Sequence, residues 1–187
     1  KKIYKSSITI AKPRVVIAAF PGTNSEYDMY NRFNENGGEA KITLLRNLTQ
    51  KHLIESVDEM CKDLRNSQIF VLPGGFSAGD EPDGSGKFMA AVLQNPKLMD
   101  EIKNFLDRDG LILGVCNGFQ ALVKSGLLPY GEIGNVHENS PTLTFNKIGR
   151  HISQIVKTKI VTNNSPWLSS FEIGETFDIP VSHGEGR

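Results

Sequence analysis

The sequence has little of several features that mark specialised classes of protein. It has two cysteines among 187 residues, Cys61 and Cys116, which argues against a disulfide framework and suits the reducing cytoplasm. No apolar run approaches the roughly 20 residues that cross a bilayer, and residues 1–5 lead into no signal-peptide core. Lys and Arg number 21, as do Asp and Glu, so the net charge favours neither nucleic acid nor an anionic membrane as a partner.

The pattern of the chain is that of a globular α/β protein. Hydrophobic residues make up 39% and charged residues 22%, the ordinary range for a domain with a buried core. Apolar strand-like runs alternate with helical patterns as far as about residue 129. This alternation predicts an open, mostly parallel sheet with helices on both faces. The predicted strands of this part are residues 14–20, 41–45, 69–72 and 111–115.

Helices are predicted between these strands, and a looser pattern follows them. Thr49 is the expected N-cap of a helix whose apolar stripe includes Cys61, so Cys61 is predicted to be buried. A later helical region is predicted to be interrupted near Pro96. Beyond residue 129, residues 142–145 and 154–160 are predicted strands of an antiparallel extension, and strand-like residues 177–182 follow.

The most informative stretch is Gly114-Val115-Cys116-Asn117-Gly118, between a predicted strand and a predicted helix. It has the form of a nucleophile elbow, with cysteine where many hydrolases have serine. The flanking glycines let the backbone turn sharply and present the thiol at the carboxyl end of the strand. The N-terminus of the next helix stabilises the negative charge of a thiolate, the reactive form of cysteine. We therefore predict that Cys116 is a nucleophile; a buried structural cysteine is the alternative.

A cysteine nucleophile needs a base that is itself held by a third group. His183 ends a strand-like run, and Glu185 follows on the same side of an extended backbone. Such a carboxylate fixes the tautomer of the imidazole and turns its other nitrogen towards the sulfur. We therefore predict a triad of Cys116, His183 and Glu185. The other histidines lie in a predicted surface helix or in polar, loop-like sequence without an evident orienting group: His52, His137 and His151.

Attack on a carbonyl also requires N–H donors for the oxyanion. The N–H of Asn117, directly after the nucleophile, is the natural first donor. The loops after parallel strands gather at one edge of the sheet, so loops 21–25 and 73–80 are predicted to lie near the elbow. Gly74-Gly75 can then bring a second N–H close, because no side chain obstructs it. A simple tight turn is the alternative for these two glycines.

Two other kinds of site are not supported by the sequence. Residues 79–87 superficially suggest a phosphate-binding loop, but Phe88 follows Lys87 where the motif requires Ser or Thr. The acidic Asp80, Glu81 and Asp83 would also repel phosphate. No cluster of Cys and His has the spacing of metal ligands, so no metal site is predicted.

Four motifs are spread from residue 20 to residue 187. They are Phe20-Pro21-Gly22-Thr23-Asn24, Leu72-Pro73-Gly74-Gly75-Phe76-Ser77-Ala78-Gly79-Asp80, Gly114-Val115-Cys116-Asn117-Gly118-Phe119-Gln120 and Ser182-His183-Gly184-Glu185-Gly186-Arg187. Together they resemble the class I, triad-type glutamine amidotransferases. Within that class they are similar to the glutaminase domains of phosphoribosylformylglycinamidine synthases. Residues 140–146 also look like this family.

The resemblance implies a flavodoxin-like fold and the hydrolysis of the glutamine side-chain amide. Cys116 is expected to form a γ-glutamyl thioester, His183 to protonate the departing ammonia, and Glu185 to hold His183. By the same resemblance Gly75 and Asn117 are expected to form the oxyanion hole. The residues expected to lie against the bound glutamine are Phe76, Ser77 and Gln120.

The resemblance also implies a partner. Ammonia is expected to pass to a synthetase domain or subunit that makes formylglycinamidine ribonucleotide in de novo purine synthesis. ATP and Mg²⁺ are expected on that partner, and no cofactor is expected in this chain.

The domain organisation is predicted from the same motifs. Residues 1–13 are predicted to be a leader or linker, and residues 14–187 one glutaminase domain from a longer chain. The family's glutaminase continues beyond His-Gly-Glu-Gly-Arg, so the fold is expected to be truncated at its C-terminus. The leader and the lack of an initiator Met favour the long single-chain form over a free-standing subunit.

Two other functions remain as alternatives at this point. A PfpI-type cysteine hydrolase or deglycase would have the same fold, but those proteins commonly have histidine directly after the elbow cysteine, where this chain has Asn117. A non-catalytic docking domain would have an unreactive Cys116.

Overall fold

The strands and helices alternate along most of the chain, as predicted. The computed structural model describes residues 9–76 and 86–187, and its contacts separate two units, residues 10–143 and residues 144–187 with residue 9. The elements of the first unit are β1 (Arg14–Ala19), α1 (Glu26–Glu35), β2 (Glu39–Leu44), α2 (Gln50–Arg65), β3 (Ile69–Leu72), α3 (Lys87–Leu93), α4 (Pro96–Asp107), β4 (Leu111–Gly114), α5 (Asn117–Ser125) and α6 (Leu127–Tyr130).

Four strands of the first unit form one parallel sheet in the order β2-β1-β3-β4. Ile17 of β1 lies between Ile42 of β2 and Val71 of β3, and Val71 in turn pairs with Leu113 of β4. Helices connect successive strands, as the crossover between parallel strands requires. The predicted α/β fold with a mostly parallel sheet is confirmed.

Apolar side chains cover both faces of this sheet. On one face Ile17 and Val71 pack with Met29 and Phe33 of α1. On the other face a larger core combines strand residues with side chains from α2, α3, α4 and α5. Each fully buried Leu, Ile or Phe contributes about 1.5–3 kcal/mol. The innermost members of the larger core include Phe70, Leu72, Met60, Leu64, Met89, Leu93, Ile102 and Phe105.

Helix ends follow the capping residues that the sequence supplies. Thr49 Oγ1 accepts a hydrogen bond from the N–H of His52 at 3.1 Å, which confirms the predicted start of α2. Asn95 caps α4 in the same way, and Pro96 is the first residue of that helix. Cys61 on α2 is fully buried, as predicted.

The second unit is built on a two-stranded antiparallel sheet. Strands β5 (Ile152–Lys159) and β6 (Thr176–His183) pair along their whole length, with Ile152 opposite His183. The predicted antiparallel extension is therefore present. A short 3₁₀ turn, Pro166–Leu168, lies in the connection between the two strands.

The predicted strand at residues 142–145 was wrong, because none of these residues lies in a strand. Thr144 exchanges backbone hydrogen bonds with Arg187 at 3.0 and 3.4 Å, and Asn146 donates to the carbonyl of Gly184 at 2.9 Å. The partner segment is a glycine-rich turn, which is too short and too bent to form a ladder. The β-branched pattern of residues 142–145 gives an extended segment without a sheet.

Within residues 9–76 and 86–187, no helix has the length and apolar character needed to cross a bilayer. The longest of the described helices, α2, has 16 residues and a polar outer face.

Candidate active site

The predicted elbow is a sharp turn between β4 and α5. Its central residue, Cys116, has φ 50° and ψ −108°, a conformation that side-chain-bearing residues rarely adopt. Backbone strain of this kind is of the order of 1–3 kcal/mol and is concentrated at functional sites. The residue is exposed, unlike Cys61. The structure thus keeps a strained backbone at the residue that carries an accessible thiol.

Both glycines of the elbow are required by close packing. A Cβ added to Gly118 would overlap the carbonyl of Leu72 at the end of β3. A Cβ added to Gly114 would lie 2.6 Å from Leu122 Cδ1 and 2.8 Å from the carbonyl oxygen of Gly118. The sequence therefore uses glycine here because α5 starts directly against the ends of β3 and β4.

Two further loops meet beside the elbow, as predicted. The N–H of Asn24 donates to the carbonyl of Gly74 at 3.2 Å, and the N–H of Phe76 donates to that of Gly22 at 2.9 Å. Between these bonds Gly75 has φ 147° and lies against the backbone of the 22–24 loop, which leaves no room for a Cβ. A Cβ on Gly74 would be 3.3 Å from Cys116 Cβ. The loop after β3 thus lies against the nucleophile, and the loop after β1 is hydrogen-bonded to the loop after β3.

Ser25 fixes this arrangement, although the sequence analysis assigned it no role. Its hydroxyl accepts the N–H of Gly74 at 2.8 Å and donates to the carbonyl of the same residue at 3.2 Å. Ser25 precedes α1, where serine commonly caps the helix, yet its side chain makes no capping bond. The Ser25 hydroxyl bonds Gly74 instead of a backbone N–H in the first turn of α1, and the sequence does not indicate this choice.

The predicted oxyanion donors are Gly75, on the loop after β3, and Asn117, which directly follows Cys116. Gly75 is half-buried, and among the residues that the structure describes none accepts a hydrogen bond from its N–H. Asn117 is the first residue of α5, is buried, and donates from Nδ2 to Gln120 Oε1 at 3.2 Å. Their roles as oxyanion donors stay predictions.

The predicted glutamine-contacting residues are only partly described. Phe76 is 65% exposed and follows Gly75 on the loop after β3. Gln120 is half-buried on the first turn of α5, one turn after Cys116. Ser77 lies outside the described residues.

His183 and Glu185 belong to the second unit. His183 is the last residue of β6, and its Nδ1 lies 3.0 Å from Asn146 Oδ1. Asn146 also donates from Nδ2 to the main-chain carbonyl of His183 at 2.8 Å. Glu185 is half-buried two residues further on, and its predicted role in holding His183 stays a prediction. Asn146 lies within residues 140–146, which look like the glutaminase family, but no function was predicted for it.

One cavity of about 270 Å³ lies away from these residues, between α4 and the segment after α6. Its charged lining consists of Asp100, Lys103 and Glu132, and it contains none of the predicted site residues. The structure also holds, among its described residues, no group of three or more His, Cys, Asp and Glu arranged to bind a metal ion.

Comparison with known proteins agrees with the elbow geometry. Residues 12–187 match the family model described as a CobB/CobQ-like glutamine amidotransferase domain. The chain belongs to this glutamine amidotransferase family. The match covers both units, and it favours amidotransferase chemistry over the PfpI-type alternative.

Relatives of this amidotransferase chain carry a more specific name. It is 33% identical over 174 residues to phosphoribosylformylglycinamidine synthase subunit PurQ from Wolinella succinogenes, covering 92% of this chain and 66% of that protein. It is also 33% identical over 178 residues to the subunit of the same name from Thermotoga maritima, covering 94% and 68%. The chain thus spans about two thirds of the length of these curated relatives.

A solved structure supports the fold of this amidotransferase. The structure of PurLQS from Thermotoga maritima matches with a TM-score of 0.68 and 31% sequence identity, over 94% of this chain and 68% of that one. The resemblance to glutamine amidotransferases seen in the motifs, and the fold it implied, are confirmed.

Proposed function

We propose that the chain is the glutaminase part of a phosphoribosylformylglycinamidine synthase. It hydrolyses the side-chain amide of glutamine and supplies the ammonia with which a synthetase makes formylglycinamidine ribonucleotide in de novo purine synthesis. The observation that carries this proposal is the strained, exposed Cys116 at the elbow. The identity to subunits named PurQ supports it.

The proposed reaction proceeds through a thioester. His183 takes the proton of the Cys116 thiol, and the resulting thiolate attacks the amide carbon. The N–H groups of Gly75 and Asn117 stabilise the oxyanion, and loss of one such donor typically raises a barrier by about 3–4 kcal/mol. The C–N bond then breaks as His183 delivers a proton to the leaving nitrogen, which departs as ammonia. His183 next takes a proton from water, which cleaves the thioester and releases glutamate and Cys116. Glu185 is proposed to hold His183 through its negative charge, which favours the imidazolium that forms between the two steps.

The proposed glutamine contacts are Gln120, Phe76 and Ser77. Gln120 lies one turn along α5 from Cys116, and its amide oxygen accepts a hydrogen bond from Asn117 Nδ2 at 3.2 Å. Its polar side chain is proposed to contact the polar end of glutamine. Phe76 is proposed to cover the aliphatic part of the substrate from the loop after β3. Ser77 is proposed to contribute a polar contact next to it.

The partner in this proposal is a synthetase domain or subunit that takes up the ammonia. ATP and Mg²⁺ are proposed to bind to that partner, with no cofactor in this chain and no contact with nucleic acid or membrane. We also propose a cytoplasmic location, which the two free cysteines support.

The test is covalent labelling of the complete enzyme with 6-diazo-5-oxo-L-norleucine, an electrophilic glutamine analogue. We expect mass spectrometry to locate one adduct on Cys116 and none on the buried Cys61. The matched variants are Cys116→Ser and Cys61→Ser. The first should lose the label and the glutamine-dependent synthesis but keep ammonia-dependent synthesis, and the second should keep all three.

Equal labelling of both cysteines, or an unlabelled Cys116 in an enzyme that is active with ammonia, would overturn the proposal. The second result, with unchanged glutamine-dependent activity in Cys116→Ala, is what a non-catalytic docking domain predicts.

A further inference from the structure

Asn146 contacts both the side chain and the main chain of His183. Its Oδ1 lies 3.0 Å from the imidazole Nδ1, and its Nδ2 donates to the main-chain carbonyl of His183 at 2.8 Å. Asn146 is 6% exposed, although it lies in a loop where asparagine is commonly solvated. A buried amide that binds the ring and the backbone of one histidine restrains both the position and the rotation of that ring.

The orientation of the Asn146 amide follows from its partners. Nδ2 lies 3.0 Å from the carbonyl oxygen of Arg150 and 2.8 Å from that of His183, and both of these groups can only accept. The nitrogen of the amide must therefore face the two carbonyls, and the oxygen must face the imidazole. An amide oxygen can only accept, so the hydrogen bond at 3.0 Å requires the proton to be on Nδ1 of His183.

The main chain holds Asn146 in this position. Its N–H donates to the carbonyl of Gly184 at 2.9 Å, and its own carbonyl accepts the N–H of Gly149 at 2.9 Å. With these bonds each polar group of Asn146 is used, and three of its contacts go to residues 183 and 184. The loop that contains Asn146 is thereby tied to the end of β6.

We propose that Asn146 is a positioning residue that fixes His183 as the tautomer protonated on Nδ1, which leaves Nε2 to exchange protons in the reaction. The catalytic part of this inference rests on the proposed function of His183, whereas the tautomer does not. The alternative tautomer would carry its proton on Nε2, and that nitrogen could not accept one. Asn146 therefore determines which ring nitrogen is available as the base.

The test reads the tautomer directly. The complete chain is labelled with ¹⁵N-histidine, and long-range ¹⁵N–¹H spectra are recorded at pH 8.5, where an ordinary histidine is neutral. The signals of His183 are identified by their loss in His183→Gln. We expect the wild-type ring to be protonated on Nδ1, and the ring in Asn146→Ala to shift towards the tautomer protonated on Nε2.

Asn163→Ala is the matched control. Asn163 lies in the same unit and its Nδ2 donates to the carbonyl of Phe171 at 3.0 Å, so this change also removes a side-chain bond to the backbone but leaves His183 untouched. The tautomer should be unchanged in this variant. In the complete enzyme Asn146→Ala should lower kcat for glutamine by about tenfold or more, and by no more than the 10²–10⁴-fold that a positioned acid–base group contributes, with KM for glutamine nearly unchanged.

A wild-type His183 protonated on Nε2 would overturn the inference, even where Asn146→Ala fails to fold. An unchanged tautomer in a folded Asn146→Ala variant, or an equal change in Asn163→Ala, would do the same. Failure of the labelling at Cys116 is a different outcome, which overturns the proposed function and leaves the tautomer of His183 as measured.

Discussion

Cys116 shows how a single residue can store strain. Its φ of 50° and ψ of −108° are unfavourable for any residue with a Cβ, and glycine adopts them freely. The residue is held there because the end of β4, the start of α5 and the backbone of Gly74 surround it. The thiol is presented at a stability cost of about 1–3 kcal/mol, which the rest of the fold offsets.

This strain predicts an inverted order of stability between two variants. Cys116→Gly should be about 1 kcal/mol more stable to unfolding than Cys116→Ala, because relief of strain exceeds the roughly 0.5–1 kcal/mol entropic penalty of glycine. Urea denaturation measures both. Lys124→Gly and Lys124→Ala, near the end of α5, are the control pair and should show the usual order with alanine more stable. The same usual order at position 116 would show that the elbow is unstrained.

At the scale of elements, the turn after β6 lies directly against the imidazole of His183. A Cβ added to Gly186 would overlap the ring of His183 and lie 2.5 Å from its Nε2, whereas one added to Gly184 would meet nothing within 4 Å. Gly184 and Gly186 therefore differ in whether the surrounding space requires glycine. Gly186 provides close approach to the ring, and at Gly184 space does not require glycine.

Gly186→Ala should displace the His183 ring and break its bond with Asn146 while changing the melting temperature little, because only the far end of a side chain has to move. A displacement of about 1 Å can lower catalysis by about 10²-fold. We expect glutamine-dependent turnover of the complete enzyme to fall on that scale, with the ammonia-dependent reaction retained. Gly184→Ala should stay within about twofold of wild type. Equal losses in the two variants would mean that the ring is not the cause.

The elements also show what could be predicted from the sequence. Apolar period and capping residues predicted β3 at its observed bounds, the start of α2 at Thr49 and the interruption at Pro96. These features depend on neighbours a few residues away. Residues 142–145 have the local pattern of a strand, but the absence of a suitable partner segment leaves them without one.

The part of the candidate site that neighbouring residues form could be predicted from the sequence. The part formed by residues far apart in the chain could not. The elbow around Cys116 consists of five consecutive residues, so its form can be recognised in the sequence. Ser25 and Gly74 are 49 residues apart, and Asn146 and His183 are 37 apart. Nothing in the immediate surroundings of Ser25 or Asn146 indicates these partners, since the fold alone brings each pair together.

At the scale of the whole molecule, global stability depends on core groups such as Cys61. Burial raises the pKa of its thiol above the ordinary 9.0, and the carboxylate of Glu101 raises it further. In the unfolded chain the thiol ionises near pH 9.0, whereas in the folded chain it stays protonated to higher pH. Above that pH the folded state binds more protons, so the free energy of unfolding must fall as the pH rises.

The free energy of unfolding should therefore decrease from about pH 9 upwards, with a contribution from Cys61 of at most about 1.4 kcal/mol per pH unit. Urea titrations between pH 8 and pH 10.5 in the presence of a reductant measure it. Cys61→Ala should be less stable at pH 8 because of the cavity it leaves, but its decline with pH should be shallower. Parallel curves for the two proteins would contradict the assignment.

The unequal surroundings of the two sulfur atoms have a practical consequence. One thiol is sealed between helices, and the other projects from the elbow. A maleimide dye added to the native chain will find a single point of attachment without any residue being engineered out beforehand. Fluorescence from that point can then follow, in real time, the arrival of a second polypeptide.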